Sequence, residues 1–140
     1  MSIEKTFVMI KPDALRRNIS GVVVAYFEEE GLEVAAQKMV HLTPERAAEF
    51  YAEHKERPFF AALVKNITEG PVIPMVLKGE NAISKAREVI GATNPAEAVE
   101  GTIRGDLGES LDFNTVHGSD SPKSAEREIS FFFAQDEILK

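Results

Sequence analysis

Apolar and polar positions along the chain alternate between two periods, and the changeovers fall at prolines and glycines. Thr6-Phe7-Val8-Met9-Ile10 is a continuous apolar run rich in strand formers, the pattern of a strand buried on both faces. Lys11-Pro12 ends it. Ile19, Val22, Val23, Tyr26 and Phe27 then recur on one face of a helix that Ser20 caps and Gly31 stops. Val34 to Leu42 has the length of a second strand, with Gln37 and Lys38 limiting its burial. Thr43 caps a helix with Pro44 at its first position, where a missing N–H costs nothing, and the helix runs to about Glu53. Pro58 interrupts before Phe59 and Phe60, and helical spacing resumes through Phe60-Ala61-Ala62-Leu63-Val64 until about Gly70. Pro71 to Lys78 reads as a third strand, in which Pro74 predicts a bulge or a missing ladder bond.

Asn81 to Ile90 puts Ala82, Ile83, Ala86 and Ile90 on one helical face with Arg87 at its edge, and Gly91-Ala92-Thr93-Asn94-Pro95 terminates the helix. Ala96 to Phe113 is polar and loop-like. Phe113 to His117 predicts a short fourth strand, and Ser121-Pro122 starts a last helix with the stripe Ala125, Ile129, Phe132 and Phe133. Glu128 stands three residues after Ala125 and four before Phe132, so it leans toward that stripe and needs a partner there. The element order predicts one domain over 1–140: a two-layer α+β fold with a βαββαβ kernel, ferredoxin-like, its helices packed on a four-stranded antiparallel sheet.

Composition narrows the chemistry. The chain has 140 residues, enough to bury a self-sufficient core, and no cysteine, which excludes disulfides, thiolate catalysis and cysteine-ligated metals. Its net charge of −7 disfavours general attraction to nucleic acid or anionic membranes, so a phosphate-bearing ligand must be met by a few local cations. The N-terminus lacks a secretory pattern and no run approaches the ~18 apolar residues of a membrane span, so a soluble, cytoplasmic protein is expected.

Chemistry gathers in Asn114-Thr115-Val116-His117-Gly118-Ser119-Asp120-Ser121-Pro122. Histidine's pKa of about 6.5 leaves its neutral, nucleophilic form well populated at neutral pH, and a fixed acceptor selects which ring nitrogen reacts. The stretch also reads as an ordinary turn and helix cap. Lys11, just past a buried strand, is either a solvated rim residue or an anion contact, and Phe59 is either core or a ligand wall. Gly101, Gly105 and Gly108 lack the spacing of a dinucleotide fingerprint, and no Gly-x-x-x-x-Gly-Lys-Ser/Thr loop occurs, so side chains must hold any phosphates. Lys11, Arg87, Arg104, Asn114 and His117 suit phosphoryl transfer, where catalysis is mainly positioning and charge neutralisation.

The octapeptide from Asn114 to Ser121 resembles the active-site signature of nucleoside diphosphate kinases. Thr6 to Ala14, Arg57-Pro58-Phe59-Phe60, Gly91 to Pro95 and Gly101 to Asp106 resemble that family's segments in the same order. The resemblance implies transfer of the terminal phosphate of a nucleoside triphosphate, typically ATP, to a nucleoside diphosphate by a ping-pong route. His117 would carry the phosphate on the ring nitrogen nearer the main chain, with Glu128 and Ser119 orienting it. Arg87, Thr93 and Arg104 would contact phosphates, Lys11 and Asn114 the sugar hydroxyl and nearby phosphate oxygens, and Tyr51 would lie beside the histidine. Phe59 would stack on the base with Leu63 in the same slot, giving broad base and sugar tolerance. Mg2+ would arrive on the nucleotide with few or no protein ligands, and the chain would form a homo-oligomer, a tetramer or hexamer built from dimers. His41 reads as a strand residue and His54 carries no assigned chemistry. Lys78 and Pro74 depart from the family's pattern outside its motifs. A ferredoxin-like regulatory or nucleic-acid-binding module and a small histidine phosphocarrier are the other readings.

Overall fold

In the computed structural model, which describes residues 3–140, strand β1 (Ile3–Ile10) runs through the middle of the sheet. Phe7, Val8, Met9 and Ile10 are all fully buried. Successive side chains of a strand point to opposite faces, so both faces must be covered. Val8 and Ile10 pack with Val23 and Phe27 of α2 (Ser20–Glu29) and Ala86 and Ile90 of α5 (Ala82–Ile90). Phe7 and Met9 pack the other way, against Ala47 and Phe50 of α3 (Pro44–Phe50), Ile67 of α4 (Phe60–Thr68) and Phe132 of α7 (Pro122–Phe132). The expected two layers are therefore three. The apolar run of β1 had already required this.

The sheet order is β2-β3-β1-β4, with β2 (Glu33–Gln37), β3 (Ile73–Glu80) and β4 (Val116–Gly118), and every pairing is antiparallel. This is the predicted four-stranded α+β arrangement. Details differ from the sequence reading: β3 runs from Ile73 to Glu80 and not from Pro71 to Lys78, and β4 begins at Val116 and not at Phe113. β2 stops at Gln37, and pairing resumes only as the Val40–Val72 bridge. The bulge falls in β2, at Val34–Ala36, and not at Pro74, which pairs in register with Met9. Pro74's carbonyl accepts from Lys38 N–H (3.2 Å), so its missing N–H faces the β2 side beyond the last ladder pair and no bond to β1 is lost.

Helix ends follow local chemistry. Thr43 and Ser121 accept from the N–H groups of Arg46 and Ser124, as their sequences predict. Ser20 is already helical, and Ile19 occupies the cap position with no side-chain bond. α3 ends at Phe50, with a 3-10 turn at Ala52–His54. Two short helices were not predicted: α1 (Pro12–Arg16) and α6 (Ile103–Leu107), the latter inside the stretch expected to be loop. Each has five residues, too few for an apolar stripe to register, though Thr102 caps α6 through Gly105 N–H.

Candidate active site

His117 pairs with Met9 across β4 and β1, which places it at the buried end of the sheet. Its ring meets Phe50 edge-on at a centroid distance of 5.4 Å and Tyr51 at 6.3 Å. Nε2 lies 2.8 Å from Glu128 Oε1, and the same oxygen accepts from Ser119 Oγ at 2.7 Å. An ionised carboxylate only accepts hydrogen bonds, so Nε2 carries the ring proton and Nδ1, nearer the main chain, keeps its lone pair. The inward lean of Glu128 that its helical position implied is thus met by two donors.

The cations converge around the same strand. Lys11 Nζ donates to Asn114 Oδ1 (2.9 Å), and Asn114 Nδ2 donates to Thr93 O (3.0 Å), so Asn114 ties the end of β1 to the loop after α5. Arg87 donates to Gly118 O (3.1 Å), while Arg104 donates to Val116 O (2.8 Å) and Gly91 O (3.3 Å). The two guanidiniums therefore grip the main chain on both sides of His117. Arg104 Nε is buried with no partner, a donor left over for an anion. A Cβ at Gly118 would stand 2.6 Å from Ile90 Cδ1, the tip of a buried side chain that would have to turn aside.

Crowding positive charge in a buried place perturbs these groups. Burial draws Lys11 down to about 8; Arg104's charge adds to the effect, and the Asp13 and Asp112 carboxylates oppose it. Burial, helped by Arg87, lowers Arg104 to about 10, which still leaves it cationic at neutral pH. Tyr51 is pushed up by burial and by the charge of Glu128, so its hydroxyl stays protonated. An anion between Lys11, Arg87 and Arg104 would relieve the repulsion among them.

A cavity of about 420 Å³ opens at this point. Lys11, Tyr51, Phe59, Leu63, Arg87, Thr93, Arg104, Asn114, His117 and Glu128 all line it, and Ser119 lies buried beside Glu128. The residues to which the family resemblance assigned site roles are thus brought together, Ser119 standing behind the wall and not on it, while His41, Pro74 and Lys78 lie elsewhere. Phe59, 43% exposed, stands at the mouth with its ring edge-on to His54 at 5.6 Å. Leu111, Asp112, His54, Asp120 and Ser124 also line the walls and had no role from sequence. Leu111 shares its polar stretch with Val99, Ile103, Leu107 and Phe113, so its apolar side chain did not single it out. The acids and His54 carried no signal either, because nothing in their spacing separates a cavity wall from solvent.

A histidine bonded through Nε2 beneath a cluster of cations, in a cavity with an aromatic rim, is an arrangement suited to a nucleotide-binding phosphotransferase. The family model for nucleoside diphosphate kinase matches residues 4–138. The chain superimposes on the nucleoside diphosphate kinase of Aquifex aeolicus with a TM-score of 0.96 at 43% identity, covering 99% of this chain and 100% of that one. The halophilic enzyme from Halobacterium salinarum, solved with CDP, gives 0.95 at 44% identity, over 99% and 93% of the two chains. That of Encephalitozoon cuniculi gives 0.92 at 42%, over 96% and 91%. The chain belongs to the nucleoside diphosphate kinase family and is an enzyme of that kind.

Proposed function

We propose that this protein, as a single nucleoside diphosphate kinase domain over 1–140, moves phosphate through His117 in two steps. The observation that carries the reading is the bond from Nε2 to Glu128, which leaves Nδ1 as the basic nitrogen among three cations. In the first step Nδ1 attacks the terminal phosphorus of a nucleoside triphosphate, typically ATP. The bond from that phosphorus to the bridging oxygen breaks, and the diphosphate leaves with the electron pair. The second step is the reverse, onto another diphosphate, which is ping-pong kinetics.

Arg87, Arg104 and Thr93 neutralise or bond the phosphate oxygens, and Lys11 and Asn114 meet the sugar hydroxyl and the nearby phosphates. Tyr51 closes the side of the histidine, while Glu128 and Ser119 hold its ring. Because these donors already bond to the protein, little reorganisation accompanies transfer. Phe59 and Leu63 offer a base a flat and an apolar surface with no hydrogen-bond code, which supports broad base and sugar tolerance. Mg2+ fits this site as a passenger on the nucleotide. When bound it would neutralise charge on the phosphate oxygens that Arg87, Arg104 and Lys11 also meet. Among the described residues no three His, Cys, Asp or Glu side chains gather closely enough to hold an ion, although Glu53, Asp112, Asp120 and Glu128 each line the cavity.

No helix among the described residues is long and apolar enough to cross a membrane. We place the enzyme in the cytoplasm, as a dimer-based homo-oligomer, tetramer or hexamer, on the resemblance to its family. Incubation with labelled nucleoside triphosphate should leave acid-labile phosphate on His117. A His117→Ala variant that still exchanged phosphate between tri- and diphosphate pools at the wild-type rate would sink the reading.

A further inference from the structure

We propose that Asp13 is a positioning residue for the histidine, acting through the main chain of Thr115. Asp13 is buried on α1 and does not line the cavity. Its Oδ2 accepts from Thr115 N–H at 3.1 Å. Thr115 has φ +80°, and Val116 N–H donates to Asn114 O across it at 2.9 Å. A hydrogen bond over three residues with positive φ at the centre is the rarer, strained γ-turn, and a β-branched residue is among the least suited to it. Such a conformation persists only where its surroundings over-determine it. Here the surroundings are two bonds from one short segment: Asp13 takes the Thr115 N–H, and Lys11 N–H donates to Thr115 O at 2.9 Å.

The turn has a chemical consequence. It lies between Asn114, whose side chain holds Lys11 Nζ, and Val116, whose carbonyl holds Arg104, with His117 next. Releasing Thr115 to an ordinary extended φ would swing Asn114 and the start of β4 relative to each other. The amide, the two cations and the nucleophile then lose their common register. Asp13 thus touches no reacting atom but sets where those atoms stand.

This inference rests on the proposed transfer through His117, and the test separates the two. Single-turnover phosphorylation of His117 by ATP, ADP affinity by calorimetry and thermal stability are measured for Asp13→Ala, Asp13→Asn, Thr115→Gly and the Asp13→Ala/Thr115→Gly pair. Misplacement of a reacting group by about 1 Å costs on the order of a hundredfold, so Asp13→Ala should slow phosphorylation about ten- to a hundredfold and weaken ADP several-fold. Asp13→Asn retains an acceptor oxygen and should recover most of the rate. Thr115→Gly takes positive φ without help and should rescue Asp13→Ala. Wild-type phosphorylation by folded Asp13→Ala overturns the proposal, as does a double variant that regains stability and remains about tenfold slower than Thr115→Gly alone. Should Asp13→Ala not fold, the double variant decides by that same comparison. If the wild type forms no phosphohistidine, the proposed function falls instead. ADP affinity then reads the clamp through Asn114, and an unchanged affinity in the Asp13 variants overturns it.

Discussion

Replacing Glu128 by glutamine perturbs the electrostatics under the histidine with almost no change in shape. In the native protein one carboxylate oxygen accepts from His117 Nε2 at 2.8 Å and from Ser119 Oγ at 2.7 Å, and Glu128 is only 6% exposed. Glutamine keeps an acceptor oxygen but loses the charge. Hydrogen bonds to charged groups contribute about 1.5–3 kcal/mol net, against about 0.5–1.5 for neutral ones. The difference, about 1–2 kcal/mol, is felt as the imidazole gains positive character during attack, and at 1.36 kcal/mol per decade it slows transfer about 5- to 30-fold. A rotated amide would present NH2 to Nε2, favour the tautomer protonated on Nδ1 and deepen the loss. Stability should move little, because both donors keep a partner and a buried charge is gone. Rapid-quench measurement of phosphohistidine formation, beside a thermal melt, checks both halves. Wild-type transfer in Glu128→Gln would refute the argument, and so would a slowdown matched by an equal loss of folded protein.

The remaining predictions concern other parts of the same cavity. Lys11 has a folded pKa of about 8, below its unfolded value, so the unfolded chain binds more protons between about pH 8 and 10 and stability should rise over that window. kcat/KM, which reports the free enzyme, should fall as pH passes about 8, while kcat holds to higher pH because bound phosphate keeps the ammonium charged; Lys11→Met should abolish the rise in stability. Phe59→Ala should raise KM about 5- to 150-fold with little change in kcat, since stacking on a base would contribute about 1–3 kcal/mol, made equally before and during transfer; steady-state kinetics with several nucleotides would show it. Gly118→Ala drives a Cβ against Ile90 Cδ1, 2.6 Å away in a packed core. It should cost about 1–3 kcal/mol in a thermal melt and reduce activity, because Gly118 O holds Arg87.

Much of this molecule was legible in one dimension, for reasons that differ from part to part. The long helices α5 and α7 could be read because their apolar periodicity is sustained over more than two turns, and β1 because its apolar run is unbroken. Thr43 and Ser121 announced their caps because a hydroxyl before a proline has few other uses. α1 and α6 escaped because five residues hold no period, and Ser20 misled because a hydroxyl near a helix start need not be the residue that caps it. Pro74 suggested a defect that antiparallel geometry avoids by turning its missing donor away from β1.

The sequence by itself determined the longer elements though not α1 and α6, that β1 is covered on both faces, and the residue types of the candidate site with their order, since each depends on neighbours only a few positions away. It also carried the family, because the motif from Asn114 to Ser121 is dense. The family resemblance already implied the ring nitrogen of His117 nearer the main chain, but the physical reason that it is free lies in the tertiary structure. Glu128 reaches the other nitrogen, Nε2, from a different element at 2.8 Å. The same holds for the Asp13–Thr115 clamp, which joins residues 102 positions apart, and for the depressed pKa of Lys11. Burial and the positions of distant charges are properties of three-dimensional packing, and no local pattern encodes them.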